Sequence, residues 1–310
     1  MENRWVYFIA GILLIAVLSF FLSTGIFKQS TTSQPGIKKL QVTVSFYPLY
    51  FFSSQIGGDK AEVRNITPAG SEPHDHEPTT QDIARIENSN MLVLNGAVET
   101  WGDKIKDNLK GKNVKIVIAG ENLFIKELVK NGEKIQDPHV WLDPQLAKKQ
   151  VQKITEGYVE IDPANTIYYQ DNQKKLNQKL DDLDNQIKLG LKLCKQKDII
   201  TSHAAFAYLT ARYGLNQVAI SGLSPNAEPS AQRLVEIANF VKQNNIKYIF
   251  FEKLVSPKLS ETIANEVGAE TLLLDPIEGL SNEDMKRGKD YFTVMQENLK
   301  NLQTALECTL

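Results

Sequence analysis

Short apolar runs, several of them rich in β-branched residues, alternate with amphipathic stretches along most of this chain. In the first half the apolar runs predict strands, and the stretches with apolar residues every three or four positions predict helices. The predicted strands are 42–46, 63–67, 91–94 and 114–118, and the predicted helices are 47–56 and 79–88. This alternation is typical of a mostly parallel sheet wrapped by helices.

The second half repeats the same pattern without a close sequence repeat. The predicted strands are 198–202, 218–220, 247–251 and 271–274, and the predicted helices are 204–213, 256–267 and 291–306. Residues 40–310 are also more numerous than one hydrophobic core usually supports. We therefore predict an α/β protein of two Rossmann-like lobes, each built on a mostly parallel sheet.

The strongest helical periodicity lies between the two halves. Apolar residues spaced by three or four positions predict a helix over 163–195, about 50 Å long. These residues are Leu176, Leu180, Leu183, Ile187 and Leu191. Such a helix is long enough to join two lobes stiffly, and a coiled-coil dimer segment is the alternative. Gly190 and the short apolar stripe disfavour the dimer, so we predict a monomer with lobes at 40–161 and 196–310 and an interlobe helix within 162–195.

The first 28 residues contain an uncharged, mostly apolar run at 5–27 that ends at Lys28. A secretory signal has an apolar stretch of roughly 7–15 residues, whereas a membrane-spanning helix needs about 20. Residues 1–28 are therefore predicted to be a signal peptide or an N-terminal membrane anchor, and either one indicates export. The polar segment 29–39 is predicted to be a flexible linker.

The charge of the folded part disfavours nucleic acid as a partner. Residues 40–310 contain 31 basic and 36 acidic side chains, whereas the whole chain has a formal net charge of −2.

Two cysteines, Cys194 and Cys308, lie far apart in the sequence. Export permits a disulfide between them, but nothing local requires it, so two separate thiols remain the alternative.

Histidine is rare in this chain, and three of its four histidines stand in constrained positions. His74 and His139 each follow a proline, and His203 directly follows a predicted strand. Asp275 directly follows the apolar run 272–274 in the same way. Ligands of open α/β sheets bind beyond the carboxyl ends of the strands, so these four side chains are expected to meet in one cleft. Three imidazoles and one carboxylate suit a tetrahedral zinc ion.

Metal-binding histidines usually donate their second ring nitrogen to a carboxylate or a carbonyl. The carboxylates near the three histidines are Glu72, Asp75, Asp137, Asp143 and Glu252. A helix cap or a solvated charge is an equally good interpretation for each of them. The fourth histidine, His76, is interpreted as an exposed or hydrogen-bonded residue, with weak accessory binding at the cleft mouth as the alternative.

Six short motifs together resemble the zinc/manganese solute-binding proteins of ABC importers. They are Ser45-Phe-Tyr-Pro-Leu49, Glu72-Pro-His-Asp75, Asp137-Pro-His-Val-Trp-Leu-Asp-Pro144, Ser202-His203 with Tyr208, Glu228-Pro-Ser230 and Leu274-Asp-Pro-Ile-Glu-Gly279. The resemblance implies two α/β lobes joined by a rigid helix, with one metal ion between them. It also implies an extracytoplasmic receptor that delivers this ion to a membrane permease. Its ligands would be His74, His139, His203 and Asp275.

Members that handle manganese typically have a carboxylate where this chain has His203, so three imidazoles favour Zn²⁺ over Mn²⁺. Many zinc members also have a histidine-rich loop between the first two ligand motifs, whereas residues 121–136 contain no histidine. A manganese receptor, a zinc hydrolase and a surface adhesin remain the alternatives. The chain contains no HExxH motif, which disfavours the hydrolase.

Overall fold

Two parallel sheets of four strands each form the framework of this chain, seen here in a computed structural model that describes residues 39–130 and 133–309. The first sheet has the strand order β2-β1-β3-β4. Its strands are β1 (Leu40–Val44), β2 (Ala61–Asn65), β3 (Met91–Leu94) and β4 (Lys115–Ile118). All four residues of β3 are buried, as expected for a central strand that helices cover on both faces.

Four helices and a hairpin complete the first lobe. The helices are α1 (Tyr47–Gly57), α2 (Thr80–Glu87), α3 (Gly102–Asn108) and α4 (Pro144–Ile161). The antiparallel hairpin consists of β5 (Glu127–Lys130) and β6 (Glu133–Gln136). Helix α4 begins where the side chain of Asp143 accepts hydrogen bonds from two backbone amides and Pro144 occupies the first turn. Such a cap fixes the start of the helix immediately after the loop that contains His139.

The helix between the lobes is shorter than predicted. A 3₁₀ turn over Pro163–Asn165 precedes α5, which covers Thr166–Gly190 and is therefore about 37 Å long. Its predicted apolar stripe is buried against α1, α4 and a C-terminal helix of the same chain. Gly190 permits the close approach to that helix, since a Cβ atom at this position would lie 3.1 Å from Leu299. The predicted stripe is thus used for packing within the chain, and the monomer stays a prediction.

The second sheet has the strand order β10-β9-β7-β8. Its strands are β7 (Asp198–Thr201), β8 (Asn216–Ala219), β9 (Tyr248–Phe251) and β10 (Glu270–Leu273). Its helices are α6 (Ala207–Tyr213), α7 (Ala231–Gln243), α8 (Lys258–Val267), α9 (Asn282–Lys286) and α10 (Tyr291–Ala305). When strands are counted within each lobe, both sheets have the order 2-1-3-4. The predicted fold class is confirmed.

Aromatic side chains join the two lobes through one shared core. The Trp141 indole donates a hydrogen bond to the carbonyl of Pro276 at 2.8 Å, and the Tyr291 hydroxyl donates one to the carbonyl of Trp141 at 2.6 Å. The rings of Phe51 and Tyr291 are stacked with centroids 5.8 Å apart. Buried residues of both halves belong to a single hydrophobic cluster. Residues 39–310 accordingly form one compact unit, so the domain boundaries at 161 and 195 stay predictions.

Cys194 and Cys308, whose pairing the sequence left open, form a disulfide. The bond joins the chain just after α5 to the chain just after α10, across a sequence separation of 114 residues. Closing a loop of this length reduces the conformational freedom of the unfolded chain, which stabilises the folded state.

We expect the double variant Cys194→Ser/Cys308→Ser to have a free energy of unfolding about 3–4 kcal/mol lower than the wild type. Urea denaturation of the two proteins, each under non-reducing conditions, measures this difference. Treating the wild type with a reductant should reproduce the loss and should leave the double variant unchanged. Equal stability of wild type and variant would contradict the proposed contribution of the disulfide.

Within residues 39–130 and 133–309, no helix combines the length and the apolar character needed to cross a membrane. The apolar segment 5–27 and the linker 29–39 fall almost wholly outside this part of the chain, and their predicted roles stay predictions.

Candidate metal centre

His74 lies in a 3₁₀ turn, Pro73–Asp75, in the loop that follows β2. The carboxylate of Glu72 caps this turn by accepting a hydrogen bond from the backbone amide of His74 at 3.1 Å. Pro73 fixes one backbone angle of the same turn, which lowers the entropy lost when the imidazole is held in place. Glu72, a predicted partner of a metal ligand, thus positions the backbone of His74.

His139 lies in the loop between β6 and α4 and is completely buried. One carboxylate oxygen of Asp137, Oδ1, accepts hydrogen bonds from the backbone amide of His139 at 2.9 Å and from its Nδ1 at 2.7 Å. This arrangement places the proton on Nδ1 and leaves the lone pair of Nε2 free to bind a cation. The ring of Trp141 packs 5.1 Å from the imidazole and supports its orientation.

His203 stands two residues beyond the end of β7 and is also completely buried. Its Nδ1 lies 2.7 Å from both carboxylate oxygens of Glu252, a residue that directly follows β9. Strands β7 and β9 are neighbours at the point where the strand order of the second sheet reverses, which is where ligands of such sheets bind. The fold therefore supplies His203 together with the carboxylate that fixes its tautomer.

The three imidazoles converge on one point, and the carboxylate among them is that of Glu278. The Nε2 atom of His139 lies 3.3 Å from that of His74 and 3.4 Å from that of His203. Oε1 of Glu278 lies 3.2 Å, 3.1 Å and 3.5 Å from the Nε2 atoms of His74, His139 and His203, respectively. Ligand atoms about 2.0–2.1 Å from a zinc ion at a tetrahedral centre are separated by roughly 3.3–3.4 Å. These five distances match the spacing of a tetrahedral metal site.

Asp275, the carboxylate expected from the sequence, is buried outside this cluster. Its Oδ1 accepts a hydrogen bond from the backbone amide of Ile277 at 2.7 Å. The side chain of Asn298 binds both backbone groups of Asp275, accepting from its amide at 2.8 Å and donating to its carbonyl at 2.6 Å. Asp275 thus shapes the turn after β10, and Glu278 is the side chain that this turn presents to the imidazoles.

The turn contains a strained residue. Ile277 has a φ of 59°, a left-handed conformation that costs free energy for a β-branched side chain. Contacts on both sides hold it there, because Ile277 is completely buried and the preceding carbonyl, of Pro276, accepts the hydrogen bond of Trp141. The strain lies immediately before Glu278, at the position where the chain turns the carboxylate toward the cluster.

Charges in and around the cluster shift the pKa values of Glu278, His203 and His139. Burial tends to raise the pKa of Glu278, but the neighbouring imidazoles outweigh burial and hold this pKa well below its ordinary value. Burial tends to lower the pKa of His203, yet the carboxylates of Glu252 and Glu278 raise it well above its ordinary value. The pKa of His139 is raised in the same way, since Asp137 and Glu278 outweigh its burial. Without a cation, these imidazoles hold protons tightly.

Glu72, whose carboxyl group lies beside the cluster, has a pKa that shifts in the opposite direction to that of Glu278. Burial, and then the charge of Glu278, raise the pKa of Glu72 to about 9. Glu72 is therefore protonated near neutral pH in the metal-free protein, and Glu278 is the carboxylate that carries the negative charge among the three imidazoles.

A cavity of about 1060 Å³ opens beside the cluster, between the segment 135–138 and the loops of the second lobe. Of the four cluster residues, only His74 lines it. The side chain of His74 is 9% exposed, whereas those of His139, His203 and Glu278 are exposed by at most 1%. Solvent therefore reaches the cluster from the side of His74.

Residues 42–305 match the family described as zinc-uptake complex component A, periplasmic, also called ZnuA. The chain belongs to this family. It is 39% identical over 320 residues to the high-affinity zinc uptake system protein ZnuA of Bacillus subtilis, a match that covers 99% of each chain. The resemblance to solute-binding proteins stated from the motifs is thereby confirmed.

A further relative of this ZnuA-family chain, AdcA, comes from Streptococcus pneumoniae. The zinc-binding lipoprotein AdcA is 41% identical over 280 residues, which are 86% of this chain but only 55% of AdcA. The crystal structure of the Zn(II)-bound ZnuA-like domain of AdcA superimposes with a TM-score of 0.76 at 42% identity, covering 87% of this chain and 99% of that domain. The chain thus spans about half of AdcA and almost all of its ZnuA-like domain.

Three other residues named from the sequence lie outside the cluster of this ZnuA-family chain. Asp75 accepts a hydrogen bond from the side-chain amide of Asn226. Asp143 caps α4 and forms an ion pair with Arg212 of α6. The Nε2 atom of His76 is buried and has no hydrogen-bond partner among the described residues, and His76 is not part of the four-residue group.

Proposed function

We propose that this chain captures one Zn²⁺ ion through His74, His139, His203 and Glu278 and delivers it to the permease of an ABC transporter. The observation that supports this proposal most directly is the ligand spacing, since four donor atoms lie within 4.8 Å of one another around one point. Three of the four residues are the histidines singled out from the sequence. Glu278 takes the place that the sequence suggested for Asp275.

The ligand types favour zinc over manganese. Three imidazole nitrogens and one carboxylate oxygen suit a borderline-soft ion in tetrahedral geometry, whereas Mn²⁺ prefers a larger share of oxygen ligands. The carboxylates of Asp137 and Glu252 strengthen this preference because each holds an imidazole with its Nε2 lone pair toward the ion. The names of the B. subtilis and S. pneumoniae relatives also refer to zinc.

Delivery to a permease is supported by the family itself, whose description is that of a component of a zinc-uptake complex. The same description places the family in the periplasm, and the apolar segment 5–27 is consistent with export of this chain. We propose an extracytoplasmic receptor that acts as a monomer, either tethered by this segment or released after its cleavage.

A zinc hydrolase is the main alternative, and the composition of the site argues against it. Catalytic zinc sites usually have three protein ligands and keep a fourth position for water. Here four side chains converge, and Glu278 occupies the position that a water molecule would need. The site is therefore built to hold an ion rather than to activate water.

Titration of the full-length chain with ZnCl₂ in a calorimeter should show one tightly bound Zn²⁺ ion per chain and much weaker binding of Mn²⁺. His139→Ala should weaken zinc binding at least tenfold, because it removes a completely buried ligand. His76→Ala is the matched control, since it removes a nearby imidazole that lies outside the cluster.

Absence of zinc binding by the wild type would overturn the proposed function. Equal losses in His139→Ala and His76→Ala would overturn the proposed ligand set. Hydrolysis of ester, peptide or phosphate substrates by the zinc-loaded protein, abolished by His139→Ala, would favour the enzyme instead.

A further inference from the structure

We infer that Tyr208 is a positioning residue for metal binding, acting on His139 through Asp137. This inference rests on the proposed metal site, because His139 matters only if it is a ligand. Tyr208 lies on α6 of the second lobe and is only 3% exposed. Its partners all belong to the first lobe, and one of them is the residue that fixes the imidazole of His139.

The Tyr208 hydroxyl makes three hydrogen bonds to the backbone at the base of the β5–β6 hairpin. It accepts from the amide of Ile125 at 3.1 Å and from the amide of Lys126 at 3.2 Å. It also donates to the carbonyl of Asp137 at 3.0 Å. A phenol has one proton to donate and two lone pairs that accept, so these three bonds use its full capacity.

The hydroxyl takes the place of one hydrogen bond of the hairpin ladder. Glu127 pairs with Gln136, so Lys126 and Asp137 form the next pair of the ladder. The amide of Asp137 donates to the carbonyl of Lys126 at 2.9 Å. In an antiparallel pair of this kind the amide of Lys126 would donate to the carbonyl of Asp137 in return. Here Tyr208 bridges these two groups instead, and it thereby determines how far apart the two strands stand at Asp137.

The position of Asp137 controls the orientation of His139. Asp137 Oδ1 accepts both hydrogen bonds from His139, while its other oxygen, Oδ2, is buried with no hydrogen-bond partner in the described part of the chain. Among the described residues no further hydrogen bond holds this side chain in place, so its position depends on its own backbone. That backbone is held on one side by Lys126 and on the other by Tyr208.

Tyr208 also connects the two lobes at the metal site. Helix α6 begins four residues after His203, and the loop between them is fixed by hydrogen bonds to the carbonyl of His203 from Thr201 at 2.7 Å and from Gln217 at 2.9 Å. The hydroxyl therefore joins the segment that bears one ligand to the residue that orients another. Loss of this hydroxyl should loosen the relative placement of His139 and His203.

The matched control is Tyr213, which lies on the same helix as Tyr208 and, like it, differs from phenylalanine by a single hydroxyl group. Its hydroxyl donates to a carboxylate oxygen of Asp184 on α5 at 2.8 Å, and within the described residues it forms no hydrogen bond with the hairpin or with a proposed ligand. Tyr208→Phe and Tyr213→Phe therefore delete the same group from the same helix. Only the first deletion affects the backbone of Asp137.

The test compares zinc release from the full-length wild type, Tyr208→Phe and Tyr213→Phe by stopped-flow transfer of Zn²⁺ to a chelator. Losing the hydrogen-bond partner of a metal-binding histidine, here Asp137, changes metal affinity by roughly ten- to hundredfold. Tyr208 acts on His139 only through this partner, so we expect Tyr208→Phe to accelerate zinc release by a smaller factor, roughly three- to tenfold. Tyr213→Phe should release zinc at the wild-type rate. The d–d absorption of the Co²⁺-loaded proteins should change in Tyr208→Phe alone, since it reports the geometry of the ligands.

A double-mutant cycle identifies the route of the effect. If Tyr208 acts through Asp137, the acceleration caused by Tyr208→Phe should largely disappear when Asp137→Asn is already present, because coupled residues are not additive. Additive effects of the two substitutions would show that Tyr208 does not act through Asp137 and would overturn the inference.

A measurement on the wild type keeps the inference testable even if Tyr208→Phe does not fold. Coupling between two sites is reciprocal, so zinc binding should slow hydrogen exchange at the amides of Ile125 and Lys126. Unchanged exchange at both amides, or equal zinc release from wild type and Tyr208→Phe, would overturn the role of Tyr208. Absence of zinc binding by the wild type would instead overturn the proposed function.

Discussion

Glu278→Gln is expected to weaken zinc binding by about a hundredfold, since a site of four ligands divides a binding free energy of about 10–16 kcal/mol among them. The substitution keeps the size of the side chain but replaces the charged carboxylate with a neutral amide. Glu278 is completely buried and lies within 3.5 Å of all three imidazole nitrogens. Glu278 is the one carboxylate of the four-residue group found among the described residues.

Asp275→Asn is the matched control for this experiment, because it makes the same chemical change three residues earlier in the same turn. Its amide oxygen can still accept the hydrogen bond of the Ile277 amide that Asp275 accepts at 2.7 Å. The turn should therefore persist, and zinc affinity should fall by less than about threefold. Competition with a chromophoric chelator measures both affinities. A larger loss in Asp275→Asn than in Glu278→Gln would show that Asp275 is the ligand and that Glu278 is not.

Acidification is expected to weaken zinc binding steeply, and to begin doing so above pH 6.5. Only neutral imidazole binds a metal ion, and an ordinary imidazole becomes protonated near a pKa of about 6.5. The carboxylates around His139 and His203 outweigh burial and raise both pKa values, so Zn²⁺ must displace protons at a pH where ordinary histidines are already neutral. If two protons are displaced, the affinity falls by up to about a hundredfold for each pH unit.

Chelator competition between pH 8.5 and pH 5.5 measures this dependence. Calorimetry in two buffers of different ionisation enthalpy counts the protons that zinc releases. Constant affinity from pH 8.5 down to pH 6.5, with no proton release, would contradict the raised pKa values. His76→Ala should follow the wild-type curve, since His76 lies outside the cluster.

The same pKa shifts give the metal-free protein an unusual dependence of stability on pH. A histidine whose pKa is raised by folding contributes stability that is complete below its unfolded-state pKa of about 6.5 and is lost as the pH rises through the folded-state value. The metal-free chain should therefore lose thermal stability as the pH rises above 6.5. The zinc-loaded chain should gain stability over the same range, because its affinity for zinc increases. Thermal unfolding with and without ZnCl₂ shows whether the two trends diverge.

The strands that consist mainly of an apolar run, such as β3, β4 and β9, could be predicted closely. Strand β3 was predicted at 91–94 and lies at Met91–Leu94. Helix α4 was not predicted, because its buried face includes small and polar residues such as Gln150, Thr155 and Gly157, which weaken the apolar periodicity. Helix α7 was missed for a related reason, since it buries only Ile237 and Val241.

The three histidines could be singled out because histidine is scarce and each stands beside a proline or at the end of a strand. The carboxylate could not be chosen in the same way, since Asp275 and Glu278 lie three residues apart in one turn. The choice depends on the left-handed conformation of Ile277, which nothing about an isoleucine predicts. The role we infer for Tyr208 depends on a hairpin whose strands are short and polar, and such strands leave no clear pattern in a sequence.

The core that the lobes share limits how far the shape of this receptor can change when it binds its metal ion. Phe51, Trp141 and Tyr291 hold the lobes together, so a large rotation of one lobe would have to break that packing. A permease that distinguishes full from empty receptors would then gain little from sensing overall shape. It would have to recognise the loops around the mouth of the cavity. Mutations that alter recognition by the permease without altering zinc affinity should concentrate in these loops.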